Sequence, residues 1–459
     1  MPRSPAMRRP RAAPQTVQTD IFFWTFAILV ILSLLIGGGG LKYGVANFLI
    51  QSVALVMLGY FWRPIASGWR EWPALLKILI PVTLAVPVLQ AIPVPASVWT
   101  NFPGRELLEQ SLVLISDPLP AYSISLNSRA SLTSASGLIV PIVVFALLAT
   151  GKVTPVTGAK ILAAFALFFV ALGLVQVLAG PGTLRYAENS TSPVLHGTFA
   201  NRNSGGLFLV LAMLVLIGLT GAADPVVQRF RAILWGIFAL LAFGVILSQS
   251  RSSTALLVIP MGWAFVIGLS WLRDERNRRR LGKRRLYAVV GACVLAIAAV
   301  AAVSQQGRVA ETFSRFNDLE TSREGIWEDT LAASDRYWPL GSGLGTFRDV
   351  FEVDESLEYL DDTNAGRAHN DYLETMLEAG LVGVVLIALW WLTIAVLALR
   401  AFKGGYGRLA AAGALGLLCI ALQSVVDYPL RNQAMLVVAA CLLGFVSFRS
   451  TKNEGHNLA

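Results

Sequence analysis

"AGRAHNDYLETMLEAGLVGVVLIALWWLTIAVLALR", residues 365–400, passes from a polar stretch holding a histidine into an uncharged run over 379–399. A helix rises about 1.5 Å per residue, so roughly 20 apolar residues cross the hydrocarbon layer of a bilayer. The run is long enough, and its apolarity is continuous and not alternating, which selects a helix over a barrel strand. It predicts a membrane span entered from a water-exposed loop.

The signature recurs along the whole chain. Its 459 residues are 55% hydrophobic and only 14% charged, with a mean hydropathy of +0.62, too apolar for a water-soluble core to hide. Spans are predicted at 21–36, 44–62, 74–93, 136–150, 159–179, 204–221, 232–248, 254–272, 286–304, 379–399, 408–425 and 433–448. The fold class is therefore an all-α polytopic membrane protein with about 12 transmembrane helices. The fourth span is short and is expected to be extended by its flanks. The first follows Arg3, Arg8, Arg9 and Arg11 but precedes no small-residue cleavage site, only Gly37 to Gly40, so it reads as a retained helix.

Lysine and arginine set the orientation. With the N-terminus inside, the segments 63–73, 151–158, 222–231, 273–285 and 400–407, together with both tails and their margins, hold 24 of the 37 basic residues. The opposite side holds 13, six of them in the loop 305–378, which also carries 17 of the 28 acidic residues. The predicted organisation is a basic cytoplasmic tail (1–20), nine spans (21–304), a periplasmic or exterior loop subdomain with short amphipathic helices (305–378), three spans (379–448) and a second cytoplasmic tail (449–459). The net charge of +9 reflects this topology and anionic lipid headgroups; nucleic acid is not an implied partner. Cys293, Cys419 and Cys441 all fall in spans, which suggests no disulfide. His196, His369 and His456 lie too far apart for a zinc site.

Polar chemistry can collect only at the outer segments. In "PVPASVWTNFPGRELLEQ" (93–110), Trp99 and Phe102 are expected at the headgroup level, with Arg105 beside them as an interfacial anchor or a substrate contact. In "LHGTFANRNSGG" (195–206), Gly197, Asn201, Asn203, Gly205 and Gly206 crowd a helix start around Arg202. Free N–H groups at such a start favour anions; the alternative is a capped helix with a snorkelling arginine. His196 is expected at the surface or interface. In "FGVILSQSRSSTALLVIP" (243–260), Arg251 interrupts two spans near membrane depth, where insertion scales charge a central arginine roughly 2.5–3.5 kcal/mol. It reads as an interfacial anchor or as a guanidinium held for a phosphate, with Ser250, Ser252 and Ser253 adding hydroxyl donors. In "SVVDYPLRNQ" (424–433), Asp427 and Arg431 form either an ion pair within the turn or a third exterior cation.

The long loop predicts an amphipathic helix from Thr321, with Ile326, Trp327, Thr330 and Leu331 on one side and Pro339 ending it. "GSGLGTF" (341–347) lacks the Lys-Ser/Thr of a phosphate-binding loop and reads as a turn. "FEVDESLEYLDDT" (351–363) reads as solvated surface. In the opening stretch, Asn370 or Asp371 can cap the helix, and Asp371 and Glu374 suit its first turn. His369 has no such explanation, and histidine takes up a proton near neutral pH without a special environment.

Taken in order, "HGTFANRN", "SQSRSS", "WPLGSGLGTF" and "HNDYLETMLEAGLVG" resemble the pattern of the O-antigen ligase/polymerase superfamily of bacterial inner-membrane glycosyltransferases. The likeness covers roughly residues 195–445, and "DYPLR" (427–431) is similar to one subgroup; before residue 190 it rests on hydropathy and the "PGR" piece. It implies a multi-pass inner-membrane protein, both termini cytoplasmic, with its site facing the periplasm. The implied donor is a polyprenyl-diphosphate-linked glycan, and the acceptor is a lipid A-core sugar in ligases or another lipid-linked repeat in polymerases. No cofactor, nucleotide sugar or metal is implied. By resemblance His369 is the base, Arg202 and Arg251 hold the diphosphate, and Arg105, Asn201, Asn203, Ser250, Ser252, Asn370 and Arg431 are candidate substrate contacts. A flippase or transporter of lipid-linked glycans is the competing class. The near-absence of acidic residues from the spans speaks against proton coupling.

Overall fold

Helix Arg202–Leu219 runs through the middle of the molecule, buried along nearly its whole length. A helix apolar on every side needs neighbours all round, and it finds them in Pro155–Ala179, Arg231–Leu247 and Arg408–Gln423. Glycines let the neighbours close in: a Cβ added at Gly206 would stand 2.7 Å from Ser253 Oγ, and one at Gly218 would stand 2.9 Å from Ala412 Cβ. Such small-residue contacts are how helices associate where burial alone gives little drive.

The computed structural model describes residues 16–39, 43–180, 183–184, 194–273, 320–357 and 365–448. Every predicted span within these residues coincides with an apolar helix; the ninth, with Cys293, most of the 273–285 basic run and the start of the long loop, lies outside them. By length and composition, five helices among the described residues are able to cross a membrane: Ser128–Ala149, Pro155–Ala179, Arg202–Leu219, Arg251–Trp271 and Asp371–Lys403. A sixth is the pair Gly44–Tyr60 and Trp62–Glu71 if its 79° bend is one span. Ile21–Ile36, Ala74–Gln90, Arg231–Leu247, Arg408–Gln423 and Gln433–Ser447 are shorter apolar helices. The short fourth span is lengthened by Ser128–Gly137, which Asn127 starts by accepting the Ala130 N–H. Thr154 and Asp224 cap helices whose first residue is proline, the position where a missing N–H is harmless. Cys419 and Cys441 are free and buried in their helices.

Above this body sits a small second core built from Ala333, Tyr337, Phe347, Val350, Phe351 and Leu377. Helix Glu320–Tyr337 supplies one side, but its inward stripe is Ile326, Asp329, Thr330, Ala333, Ser334 and Tyr337. Leu331, expected inward, is 46% exposed. The hydroxyls of Thr330 and Ser334 bond back into their own helix, and Asp329 is occupied by Ser356, so polar residues fill a face that apolarity alone would not select. The acidic run is likewise less solvated than expected: Phe351 is buried and Asp354 pairs with Arg336.

The outer loop 94–135 folds into the same cap. Strands Pro93–Val94 and Tyr122–Ser123 pair antiparallel. Trp99 is fully buried in the protein instead of facing outward, donating Nε1–H to Pro120 O at 2.9 Å. Arg105 is not an interfacial anchor either. It is 1% exposed, bonds the Ile124 carbonyl and stands 5.7 Å over the Tyr337 ring; burial lowers its pKa.

"GSGLGTF" is a strap. Gly341, Gly343 and Gly345 all have left-handed φ, and a Cβ at any of them would meet Glu378, Ser125 or Ser134 at 2.7 Å or less. Helix Asp371–Lys403 breaks at Gly380 (φ 55°, ψ −142°), and the strap fills the break. Ser342 N–H reaches Leu377 O at 3.0 Å, Gly343 N–H reaches Glu378 O at 2.8 Å, and Leu381 N–H reaches Pro339 O at 2.9 Å. These bonds replace those a continuous helix would make with itself.

Candidate active site

Three helix starts meet beneath the cap. Asn201 caps Arg202–Leu219 by accepting the Asn203 N–H at 2.8 Å. Ser250 caps the helix beginning at Arg251. Asn370 caps Asp371–Lys403, accepting from Tyr372 at 3.0 Å and Leu373 at 3.1 Å. Short polar side chains suit these positions because their oxygens satisfy N–H groups the helix leaves open.

The first two starts are joined. Ser253 Oγ donates to Asn203 O at 3.1 Å, and Ser250 Oγ donates to Ser253 Oγ at 2.9 Å. Arg202 and Arg251 therefore stand at equivalent first positions of two adjoining helices, both half-buried. Ser252 is more peripheral, 3.4 Å from Ser250 Oγ; Ser253 makes the contact between helices.

The first start also reaches the third. Asn201 Nδ2 donates to both oxygens of Asp427 at 3.2 Å, and Asp427 Oδ1 lies 3.5 Å from His369 Nδ1. At that length the histidine bond is not closed, but the pair faces each other with Asp427 fully buried and His369 34% exposed. The Tyr428 ring packs edge-on against the imidazole at 5.0 Å. Burial, with Asp427 next to it, pushes the Tyr428 phenol up to about 12, so it stays protonated and can donate. His369 itself has φ 49°, a conformation unusual for a residue with a side chain and often found where function demands it.

Arg431 is placed differently from either expectation. It pairs not with Asp427 but with Glu378 at 2.7 Å, Glu374 at 3.4 Å and Asp371 at 3.5 Å. Burial alone would lower its pKa, but Glu374, Glu378 and Asp371 outweigh it and hold the guanidinium charged. Its charge is taken up inside the protein. His196, expected at the surface or interface, is 8% exposed, and its carbonyl accepts the Phe199 N–H.

The constellation is a histidine facing a buried carboxylate, with two arginines on the adjoining helix starts. Chemically, such an arrangement can supply a general base with an orienting partner, next to cations able to receive an anionic leaving group.

Residues 236–388 match the O-antigen ligase family.

The matched segment takes in Arg251, His369 and the joint at Gly380, while Arg202 and Asp427 lie outside it. No curated protein matches the chain. The O-antigen ligase match supports the O-antigen ligase/polymerase superfamily. With the apolar helices it supports glycan transfer of that general kind, using a lipid-linked glycan and a glycan acceptor, by a bacterial membrane protein.

Sequence reasoning missed Asp427 as the group facing His369. The signal was present in "DYPLR", since a carboxylate in a nearly uncharged outer turn needs a partner. The nearest candidate in sequence was Arg431, and it was the wrong one. Glu374 was read as a first-turn charge and Glu378 was not singled out, because their partners come from residues 347, 367 and 431.

Proposed function

We propose that the protein transfers a glycan, on the periplasmic side of the inner membrane, from a polyprenyl diphosphate carrier to an acceptor hydroxyl. His369 is the base, and Arg202 and Arg251 hold the diphosphate. The observation that carries this reading is the succession of contacts from His369, facing Asp427 at 3.5 Å, through the Asn201 hydrogen bonds to the paired arginine-bearing helix starts.

In the proposed step the acceptor oxygen attacks the anomeric carbon as its proton passes to His369 Nε2. Nδ1 is the nitrogen turned to Asp427, which leaves Nε2 for the substrate and gives the imidazolium a neighbouring negative charge. The bond between the anomeric carbon and the phosphate oxygen breaks on the opposite face, inverting the centre. Its electron pair leaves with the polyprenyl diphosphate. Fixed guanidinium groups meet the charge that develops there, and their planar forks match phosphate oxygens. The proposed step uses no metal.

The test is transfer by purified protein in detergent, with a chelator present, from a lipid-linked glycan to an acceptor. His369→Ala is expected to lower the rate about 100- to 10,000-fold, the range of general-base catalysis, with donor binding retained. A normal rate would remove His369 from this role. Ligase and polymerase are separated in a deletion strain: unligated long chains on the carrier mean ligase, and single capped repeats mean polymerase. Turnover of donor without joining, or flipping alone, would favour a transporter.

A further inference from the structure

We propose that Glu374 is a positioning residue for His369, acting through the backbone on the histidine's N-terminal side; this rests on the reading of His369 as the base. A left-handed residue with a side chain sits above its relaxed conformation and persists only where its neighbours fix it. At His369 they do so on both sides. After it, Asn370 is locked as a helix cap and the Asp371 N–H donates to Ser424 O at 2.9 Å. Before it, both backbone groups of Ala368 are taken: Glu374 Oε2 accepts its N–H at 3.2 Å, and its carbonyl accepts Trp327 Nε1–H at 2.9 Å.

Glu374 is fully buried, and its other oxygen accepts Arg367 Nη1 at 2.7 Å. One carboxylate thus holds the two residues that lead into the histidine. Asp371, Glu374 and Glu378 lie around Arg431, and Glu374 also pairs with Arg367. Of these three carboxyl groups, Glu374 is the one that also accepts the Ala368 N–H.

The geometry makes a prediction that charge pairing alone does not. Glu374→Gln keeps a carbonyl oxygen for the Ala368 N–H, whereas Glu374→Met keeps the length and loses the acceptor. Both remove the same carboxylate, and thermal unfolding in detergent checks that both fold. With donor affinity within about twofold of normal in each, Met is expected to slow transfer about 100-fold and Gln about tenfold, the scale of small misplacements of a catalytic group. In a His369→Ala background Glu374→Met should add no further loss, because it acts through the histidine.

Equal losses in Gln and Met, loss of donor binding in step with rate, or losses that multiply with His369→Ala would each overturn the proposal. Trp327→Phe provides a second route that leaves Glu374 intact: it removes the donor to Ala368 O, and a normal rate in it also counts against the proposal. If His369→Ala alone turns over normally, the base assignment fails first, visible before any Glu374 variant is made.

Discussion

The helix starts of Arg202–Leu219 and Asp371–Lys403 share a design and differ in sign. Each opens with a capping asparagine, Asn201 or Asn370, but the next residue is an arginine in one and an aspartate in the other. The N-terminus of a helix carries a partial positive charge, so an anion there is favourable and a cation unfavourable by about 0.3–1 kcal/mol. Asp371 follows the rule and is explained by stability. Arg202 breaks it, and Arg251 on the adjoining helix breaks it in the same way. Two neighbouring departures of the same kind fit the proposal that these charges are kept for a ligand.

That contrast can be broken directly. Arg202→Gln and Arg251→Gln are each expected to reduce transfer about 100-fold or more, the effect of losing one stabiliser of developing charge. Thermal unfolding in detergent, measured beside transfer, shows whether either arginine also supports the fold. A variant that loses stability along with activity would make its arginine structural and erase the difference between the two starts.

A smaller effect is expected at the caps. Asn201→Ala removes the oxygen that accepts the Asn203 N–H and the amide that holds Asp427. Helix stability should fall by about 1 kcal/mol, and transfer by about tenfold as the carboxylate loses its orientation. Unfolding and turnover measured on the same sample separate the two. If turnover is unchanged, Asp427 is held by other means and the link between the first and third starts is not functional.

The smallest effect should come just before the second start, where Gln249 has φ 51°. Glycine adopts that conformation freely, so Gln249→Gly should stabilise the protein by up to about 1 kcal/mol with transfer unaltered. A drop in transfer would mean that the Gln249 side chain contributes to the site.

What could be read from the sequence follows from the range of the interactions. The apolar helices were legible because a continuous run of 15 to 21 residues is local information. So were the cap at Asn370 and the helix start at Arg202, which sit inside short motifs. The pairing of His369 with Asp427 was not, because the chain between them makes a long helix, a turn and a second helix before returning. Trp99 and Arg105 were misplaced for a related reason. At an outer loop of a membrane protein their chemistry suits a headgroup layer, and only the cap that closes over them gives them an interior. Leu331 went astray because the inward face of its helix is lined by hydroxyls bonded to their own backbone, which apolarity cannot detect.

The joint at Gly380 has a consequence for how such a chain can vary. In an unbroken helix, inserting one residue turns everything beyond it by about 100°, so a change in the length of the apolar half would swing the half that carries Asp371 and its neighbours. Here the register of the half that carries Asp371 is read from the strap and not from the turns that follow it. The apolar half can lengthen, shorten or rotate to suit a bilayer of another thickness while Asn370, Asp371 and Glu374 keep their places.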